Sequence, residues 1–303
     1  MTRTPQPDAG AGVGAPTAAV AAGLPAAAGA RRDAPGRGIL TNAASERVRS
    51  VRALAQRRVR ARQGLFLAEG PPAVRAALRH RPDAVRDLYL TTEAATRHTG
   101  IVVAAAEAAV RVHQVSAEVL GAMCDTDTPQ GLLAVCRVLT TDLATVLAAR
   151  PRLLCVLTNV RDPGNAGTVV RAADAAGADA VILSDSSVDV WGPKVVRSSA
   201  GSLFHLPVVT GVPVEDILGQ VRAAGLALLA ADGAATQLLS DTDLDRPHAW
   251  VMGNEARGID SAVRARCDES VRVPIHGRAE SLNLAMAATL CLYASAQVRT
   301  GRA

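Results

Sequence analysis

Three short segments carry residue types that could do chemistry. Residues 158–168 read Thr-Asn-Val-Arg-Asp-Pro-Gly-Asn-Ala-Gly-Thr and run into a helical stretch bearing Arg171. The glycines permit tight turns ahead of a helix N-terminus, where backbone N–H groups attract anions. Residues 252–258 read Met-Gly-Asn-Glu-Ala-Arg-Gly. Residues 273–284 read Val-Pro-Ile-His-Gly-Arg-Ala-Glu-Ser-Leu-Asn-Leu and open the last helical stretch. Ser281 and Asn283 could touch a substrate there or simply cap the helix. A dinucleotide site is an alternative for the first segment, with Asp185 as the ribose acid. However, Asp162 occupies the place of the first glycine in G-x-G-x-x-G, and the other two segments stay unexplained.

Other chemistries find less support. The six histidines are scattered, and the five cysteines (124, 136, 155, 267 and 291) form no C-x-x-C pair. No metal site is expected; the thiols read as reduced, mostly buried groups of a cytoplasmic protein. Aromatic residues make up 2% of the 303, which argues against recognition by repeated base stacking. No run of about 20 apolar residues suggests a membrane partner.

The charge of +5 is unevenly placed. Residues 42–140 hold 14 basic against 9 acidic residues, whereas residues 141–303 hold 15 against 17. Seven arginines (Arg47, Arg49, Arg52, Arg57, Arg58, Arg60 and Arg62) fall within sixteen residues that contain no acid. They are either phosphate contacts or one solvated helix face. The same two readings hold for Lys194 and Arg197.

The elements that must position these residues follow from patterning. Residues 1–41 are rich in Ala, Gly and Pro and read as a disordered tail; Pro16, Gly23 and Pro25 interrupt any signal-peptide core. Residues 42–140 alternate helical and extended patterns: helices at 45–62, 72–79 and 101–109, strands at 65–68, 85–90, 112–115 and 131–136. This is a small basic α/β domain. Residues 141–152 form a linker, in which 143–150 reads as a connecting helix or plain linker. From 153 onward, apolar runs at 153–157, 180–183, 206–209, 226–230, 250–252 and 271–273 alternate with helical segments, and a long helix covers 282–298. That alternation predicts a mostly parallel sheet covered on both faces.

The three segments, in this order and spacing, resemble the motifs of the SpoU/TrmH family of RNA ribose 2'-O-methyltransferases in the SPOUT class. The resemblance spans about residues 153–298. The preceding domain is similar to that family's substrate-binding domain, through residues 64–70 (Gly-Leu-Phe-Leu-Ala-Glu-Gly) and 129–131 (Pro-Gln-Gly). Leu284 stands where the family usually has Val, and Ala256 replaces a common Gly.

The resemblance implies an α/β fold: a C-terminal parallel-sheet SPOUT domain with a trefoil knot in 153–303, plus a smaller N-terminal α/β RNA-binding domain. It implies S-adenosylmethionine as methyl donor without a metal, bordered by Gly253, Val273, Ile275 and Leu282. It also implies a homodimer through the knotted domain, with active sites drawing on both subunits. The catalytic set would be Arg171, Asn165, Glu255, Ser281 and Asn283. A guanidinium is not normally deprotonated in proteins, so Arg171 is better suited to holding phosphate and a developing alkoxide than to acting as base. Asn165 would orient the nucleotide or Arg171, and Glu255 would orient Arg171 or another cation. Structured RNA is the expected substrate, ribosomal RNA favoured over transfer RNA. A non-catalytic RNA-binding or ribosome-assembly protein is the alternative.

Overall fold

The computed structural model describes residues 38–301. Most of the expected tail lies outside them. Of its last residues, Leu40 forms a parallel bridge with Val115, where its side chain packs against the neighbouring core.

The N-terminal domain runs α1 (Glu46–Arg52), α2 (Arg57–Gln63), β1 (Leu65–Glu69), α3 (Pro71–His80), β2 (Val85–Leu90), α4 (Thr92–Arg97), α5 (Thr99–Glu107), β3 (Arg111–Gln114), α6 (Ala117–Met123) and β4 (Leu132–Arg137). Its sheet has the order β1-β4-β2-β3; β4 is antiparallel to both neighbours, and β2 and β3 are parallel. The single helix expected over 45–62 is broken. A 3-10 turn at Ala53–Ala55 and extended Gln56 separate α1 from α2. The turn lets Val48, Val51 and Leu54 enter the core together. Helices α4 and α6, absent from the sequence reading, start at Thr91 and Ser116, whose hydroxyls accept the N–H groups of Ala94 and Val119.

After α7 (Leu143–Ala148), the larger domain runs β5 (Leu153–Leu157), α8 (Pro163–Ala175), β6 (Ala180–Ser184), α9 (Pro193–Ser198), β7 (Val208–Val212), α10 (Val214–Ala223), β8 (Ala227–Ala231), β9 (Gln237–Leu238), β10 (His248–Met252), α11 (Ser261–Ala265), β11 (Glu269–Arg272) and α12 (Leu284–Thr300). All seven strands are parallel, in the order β7-β6-β5-β10-β8-β11-β9. Both faces are covered, which is why β5, β6 and β10 are buried along their whole length. Leu153, Cys155 and Leu157 pack in one cluster with α8, α9 and α12; Leu154 and Val156 pack in another with α7 and α10.

The two domains share a core. Phe66 of β1 lies 4.9 Å from the Trp191 ring and 5.9 Å from the Phe204 ring, centre to centre. Under α12, Trp250 Nε1–H donates to Ser295 Oγ (2.9 Å), and Ser295 Oγ also lies 2.8 Å from His248 Nε2. His248 Nδ1 donates to the Arg246 carbonyl (2.7 Å), which leaves Nε2 of the neutral ring as an acceptor for the Ser295 hydroxyl. Burial lowers the His248 pKa below its ordinary value.

Candidate active site

The sheet order places the three segments together. Strand β5 lies beside β10, although about 90 residues separate them. The chain leaves β5 toward β6 on one side, while β10 and β8 lie on the other. Loops at the carboxyl ends of β5 and β10 therefore flank a switch point, where open parallel sheets leave a crevice.

Backbone and side chains stitch these loops. Thr158 N–H and Oγ1–H both donate to the Met252 carbonyl at 2.8 Å. Asn254 Nδ2 donates to the Asn159 carbonyl (2.9 Å), and its Oδ1 accepts the N–H groups of Ala256 and Arg257. Asn254 and Gly258 exchange two backbone hydrogen bonds of 2.8 Å, which closes the second loop on itself. This closure explains Gly253: a Cβ there would lie 2.2 Å from the Gly258 carbonyl carbon.

The first loop ends at an ordinary helix start. Asp162 caps α8 by accepting the Asn165 N–H (2.7 Å), and Pro163 follows at the first helical position. Gly167 brings α8 against α9, since a Cβ would sit 2.0 Å from Ser198 Oγ and 2.4 Å from the Val195 carbonyl oxygen. That glycine serves helix packing. The N-terminus of α8 faces carboxylates already: Asp162 caps it, and Glu255 accepts the N–H groups of Asp162 (3.0 Å) and Arg161 (3.1 Å). A second anion, such as a dinucleotide pyrophosphate, would meet like charge there, so the dinucleotide reading fails.

Three members of the expected catalytic set meet. Asn165 Nδ2 lies 3.4 Å from Glu255 Oε1, and Asn165 Oδ1 accepts from Asn283 Nδ2 at 3.0 Å. Asn283 Oδ1 in turn caps α12, accepting the N–H groups of Ala285 and Met286. It is thus both a helix cap and a site residue. Glu255 does not engage Arg171 as expected; the backbone of the first loop and Asn165 occupy it. Arg171 is exposed, and its guanidinium makes no hydrogen bond or ion pair among the described residues. It lies six residues further along α8, about 9 Å of helix rise from Asn165. Ser281 is exposed, without a hydrogen-bond partner among the described residues.

The third segment, residues 273–283, has no regular structure. Val273 is partly buried against the core, Leu282 is half-buried, and Ile275 is 36% exposed. Among the described residues, no group of three or more His, Cys, Asp or Glu could hold a metal ion. No helix there is long and apolar enough to cross a membrane. All five cysteines are free, and burial pushes the Cys136, Cys155 and Cys291 thiols up to about 12.

The arginine cluster separates. Arg47, Arg49, Arg52, Arg57, Arg58 and Arg62 are exposed. Arg60 is not an available RNA contact. It is 5% exposed, donates to Asp189 Oδ2 (3.1 and 2.5 Å) and to the carbonyls of Leu54 (2.8 Å) and Ala55 (2.7 Å). The helix break at Gln56 turns it inward. Arg197 is likewise committed, to Glu69 and Asp125 at 3.0 Å each, and Lys194 stands 3.7 Å from Asp162. Sequence reading missed Asn254 and Asp162; the Asp-Pro pair is a helix-start signal that marks the latter.

Comparison with known proteins fits this arrangement. The SpoU rRNA methylase family matches residues 152–293, and an MRM3-like substrate binding domain matches residues 45–134. The 23S rRNA (guanosine(2553)-2'-O)-methyltransferase of Bacillus subtilis is 34% identical over 84% of this chain and 97% of its own. The SpoU methyltransferase AviRb from Streptomyces viridochromogenes, solved in complex with the cofactor AdoMet, superposes with a TM-score of 0.73 at 33% identity, covering 85% of this chain and 100% of that one. An AdoMet-bound rRNA methyltransferase from Sinorhizobium meliloti gives 0.74 at 28% identity, covering 85% and 97%. With the motif residues assembled at one end of the parallel sheet, the chain belongs to the SpoU rRNA methylase family.

Proposed function

We propose that this protein methylates a ribose 2'-hydroxyl in ribosomal RNA, in the large-subunit 23S RNA, with S-adenosylmethionine as donor. The observation that carries the reading is the Glu255–Asn165–Asn283 chain, which ties the three motif loops into one constellation. In this reading residues 42–140 capture RNA, 141–152 connect, and 153–303 transfer the methyl group.

The residues suit the donor. Val273, Ile275 and Leu282 offer apolar contact for an adenine ring and a thioether-like chain, and irregular backbone beside Gly253 offers hydrogen-bonding groups. Bound there, S-adenosylmethionine supplies an electrophilic methyl group on a sulfonium. Asn165 and Asn283 fix the polar rim against which the ribose is held, and Glu255 sets the first loop through its two backbone N–H bonds. The guanidinium of Arg171, without an internal partner among the described residues, is available to a phosphate and to the alkoxide that develops as the 2'-hydroxyl gives its proton to water; the O–CH3 bond forms as the S–CH3 bond breaks, and the thioether S-adenosylhomocysteine leaves. Ser281 contacts the target nucleotide. The exposed Arg47, Arg49, Arg52, Arg57, Arg58 and Arg62 face RNA phosphates; Arg47 also donates to His113.

The same reading includes a trefoil knot formed as residues 273–283 return past the first loop, and a homodimer. Met286, Leu290 and Tyr293 are 63%, 46% and 44% exposed and recur at helical spacing on α12, which packs against α8. A second copy seated on this stripe would cover it and bring its own α8 close, so that Arg171 could serve the partner's site. The cytoplasm is the proposed location.

The test is methyl transfer from labelled S-adenosylmethionine to ribosomal RNA and, separately, transfer RNA, both from a strain lacking the gene. Label in 23S RNA supports the proposal. Label in transfer RNA alone moves the substrate, and label in neither, with donor bound, supports a non-catalytic assembly protein.

A further inference from the structure

Arg197 belongs to the larger domain, yet both of its terminal nitrogens bond to the smaller one. Its Nη1 donates to Glu69 Oε2 and its Nη2 to Asp125 Oδ2, both at 3.0 Å. Glu69 Oε1 accepts the Asp125 N–H at 2.9 Å. The three residues close a ring around a carboxylate side chain that is only 2% exposed. A buried carboxylate held by one charge-assisted and one backbone bond, with the same guanidinium also on Asp125, is a stiff joint. Asp125 lies in the connection between α6 and β4. That segment forms one wall of an open groove of about 630 Å³, with Arg49, Arg52 and Gln56 opposite. The Arg49 and Arg52 side chains are exposed and make no hydrogen bond among the described residues; Asp125 is paired with Arg197, so the groove presents two uncommitted guanidinium groups against the one carboxylate of Asp127.

On its other side Arg197 sits on α9, which touches the catalytic helix. Ser198 Oγ lies 3.3 Å from the Pro163 carbonyl, and Gly167 lets the helices meet. Arg197 and its neighbour Ser198 therefore link the groove wall to the helix that carries Asn165 and Arg171.

We infer that Arg197 is a positioning residue for the RNA: it holds the groove of Arg49 and Arg52 at a fixed span from the methyl-transfer site. An RNA segment flanking the target nucleotide lies in that groove. The inference rests on the proposed RNA methyltransferase function and adds a device for selecting the nucleotide. Arg197 touches neither donor nor reacting atoms.

The test compares Arg197→Met, Arg197→Lys, Asp125→Asn and the Arg197→Met/Asp125→Asn pair in the full chain. Affinity for a 23S RNA fragment is measured directly, without donor, and then steady-state methylation is followed. Arg197→Met should weaken RNA binding and raise KM for RNA about tenfold, with kcat within about twofold and donor affinity unchanged. Methylation should spread to neighbouring nucleotides. Asp125→Asn, which keeps the Arg197–Glu69 pair and so the fold, should give a smaller defect of the same kind, and Arg197→Lys should recover part of the loss. The double variant should be no worse than Arg197→Met, because both act through one joint. Unchanged RNA affinity and product position in the folded variants would overturn the inference, as would a loss confined to kcat or melting temperature. Wild-type protein that binds RNA but transfers no methyl would instead count against the proposed function, and the binding comparison would still decide the role of Arg197.

Discussion

Replacing Asn283 by Asp separates the two jobs of one side chain. Its Oδ1 caps α12 through the Ala285 and Met286 N–H groups, while its Nδ2 donates to Asn165. Aspartate keeps the cap, since Asn and Asp are about equal as caps, and its charge suits the helix N-terminus. Stability should therefore change by less than about 0.5 kcal/mol, or roughly 1–2 °C in melting temperature for a chain of this size. The bridge is lost, because a carboxylate has no donor and faces Asn165 Oδ1. Asn165 cannot rescue it by turning its amide, which would aim Oδ1 at the Glu255 carboxylate now 3.4 Å from Nδ2. The misplacement should cost on the order of 10- to 100-fold in methyl transfer. Asn283→Ala loses both jobs, adding about 1 kcal/mol of destabilisation. The assay pairs thermal unfolding with methyl transfer to 23S RNA. An Asn283→Asp enzyme of wild-type rate would refute the bridge, and one melting several degrees lower would refute the cap.

Arg60→Ala should destabilise the chain by about 3 kcal/mol, because it removes a buried ion pair and two carbonyl contacts and strands Asp189. Arg57→Ala and Arg58→Ala should leave unfolding unchanged but flatten the salt dependence of RNA binding by about one ion each, read from affinity against salt concentration. His248 is held neutral, its pKa lowered by burial, so the unfolded chain takes up its proton first as pH falls. Its contribution to stability is present above about pH 6.5 and declines below it; denaturant midpoints across that range should show the decline, and His248→Phe should reduce it. Met286→Asp should yield monomers in sedimentation and depress methyl transfer; a dimer that survives it uses another face.

The sequence disclosed the β-α alternation and the motif residues because both are local: apolar runs mark buried strands, and the loops keep their spacing. It did not disclose what depends on residues far apart. The partner of Arg60 is Asp189, 129 residues away, and nothing in an arginine-rich helix pattern marks one arginine as buried. The break at Gln56 escaped for the same reason, since Ala and Arg favour a continuous helix while the turn is held by buried Leu54 and by Arg60 on the Leu54 and Ala55 carbonyls. Strand β10 enters the sheet between β5 and β8, an order that local pattern does not encode. Residue type marked Glu255 as a candidate site residue, but its partners are the backbone N–H groups of Arg161 and Asp162 and the Asn165 amide, which residue types cannot announce.

The most direct test of the account is Arg171→Ala. Donor binding, followed by calorimetry, should stay near wild type, while transfer of label to 23S RNA should be abolished. In the wild-type digest the label should be recovered as a 2'-O-methylated nucleoside. Near-wild-type transfer by Arg171→Ala, or wild-type label recovered on a base, would contradict the account at its centre.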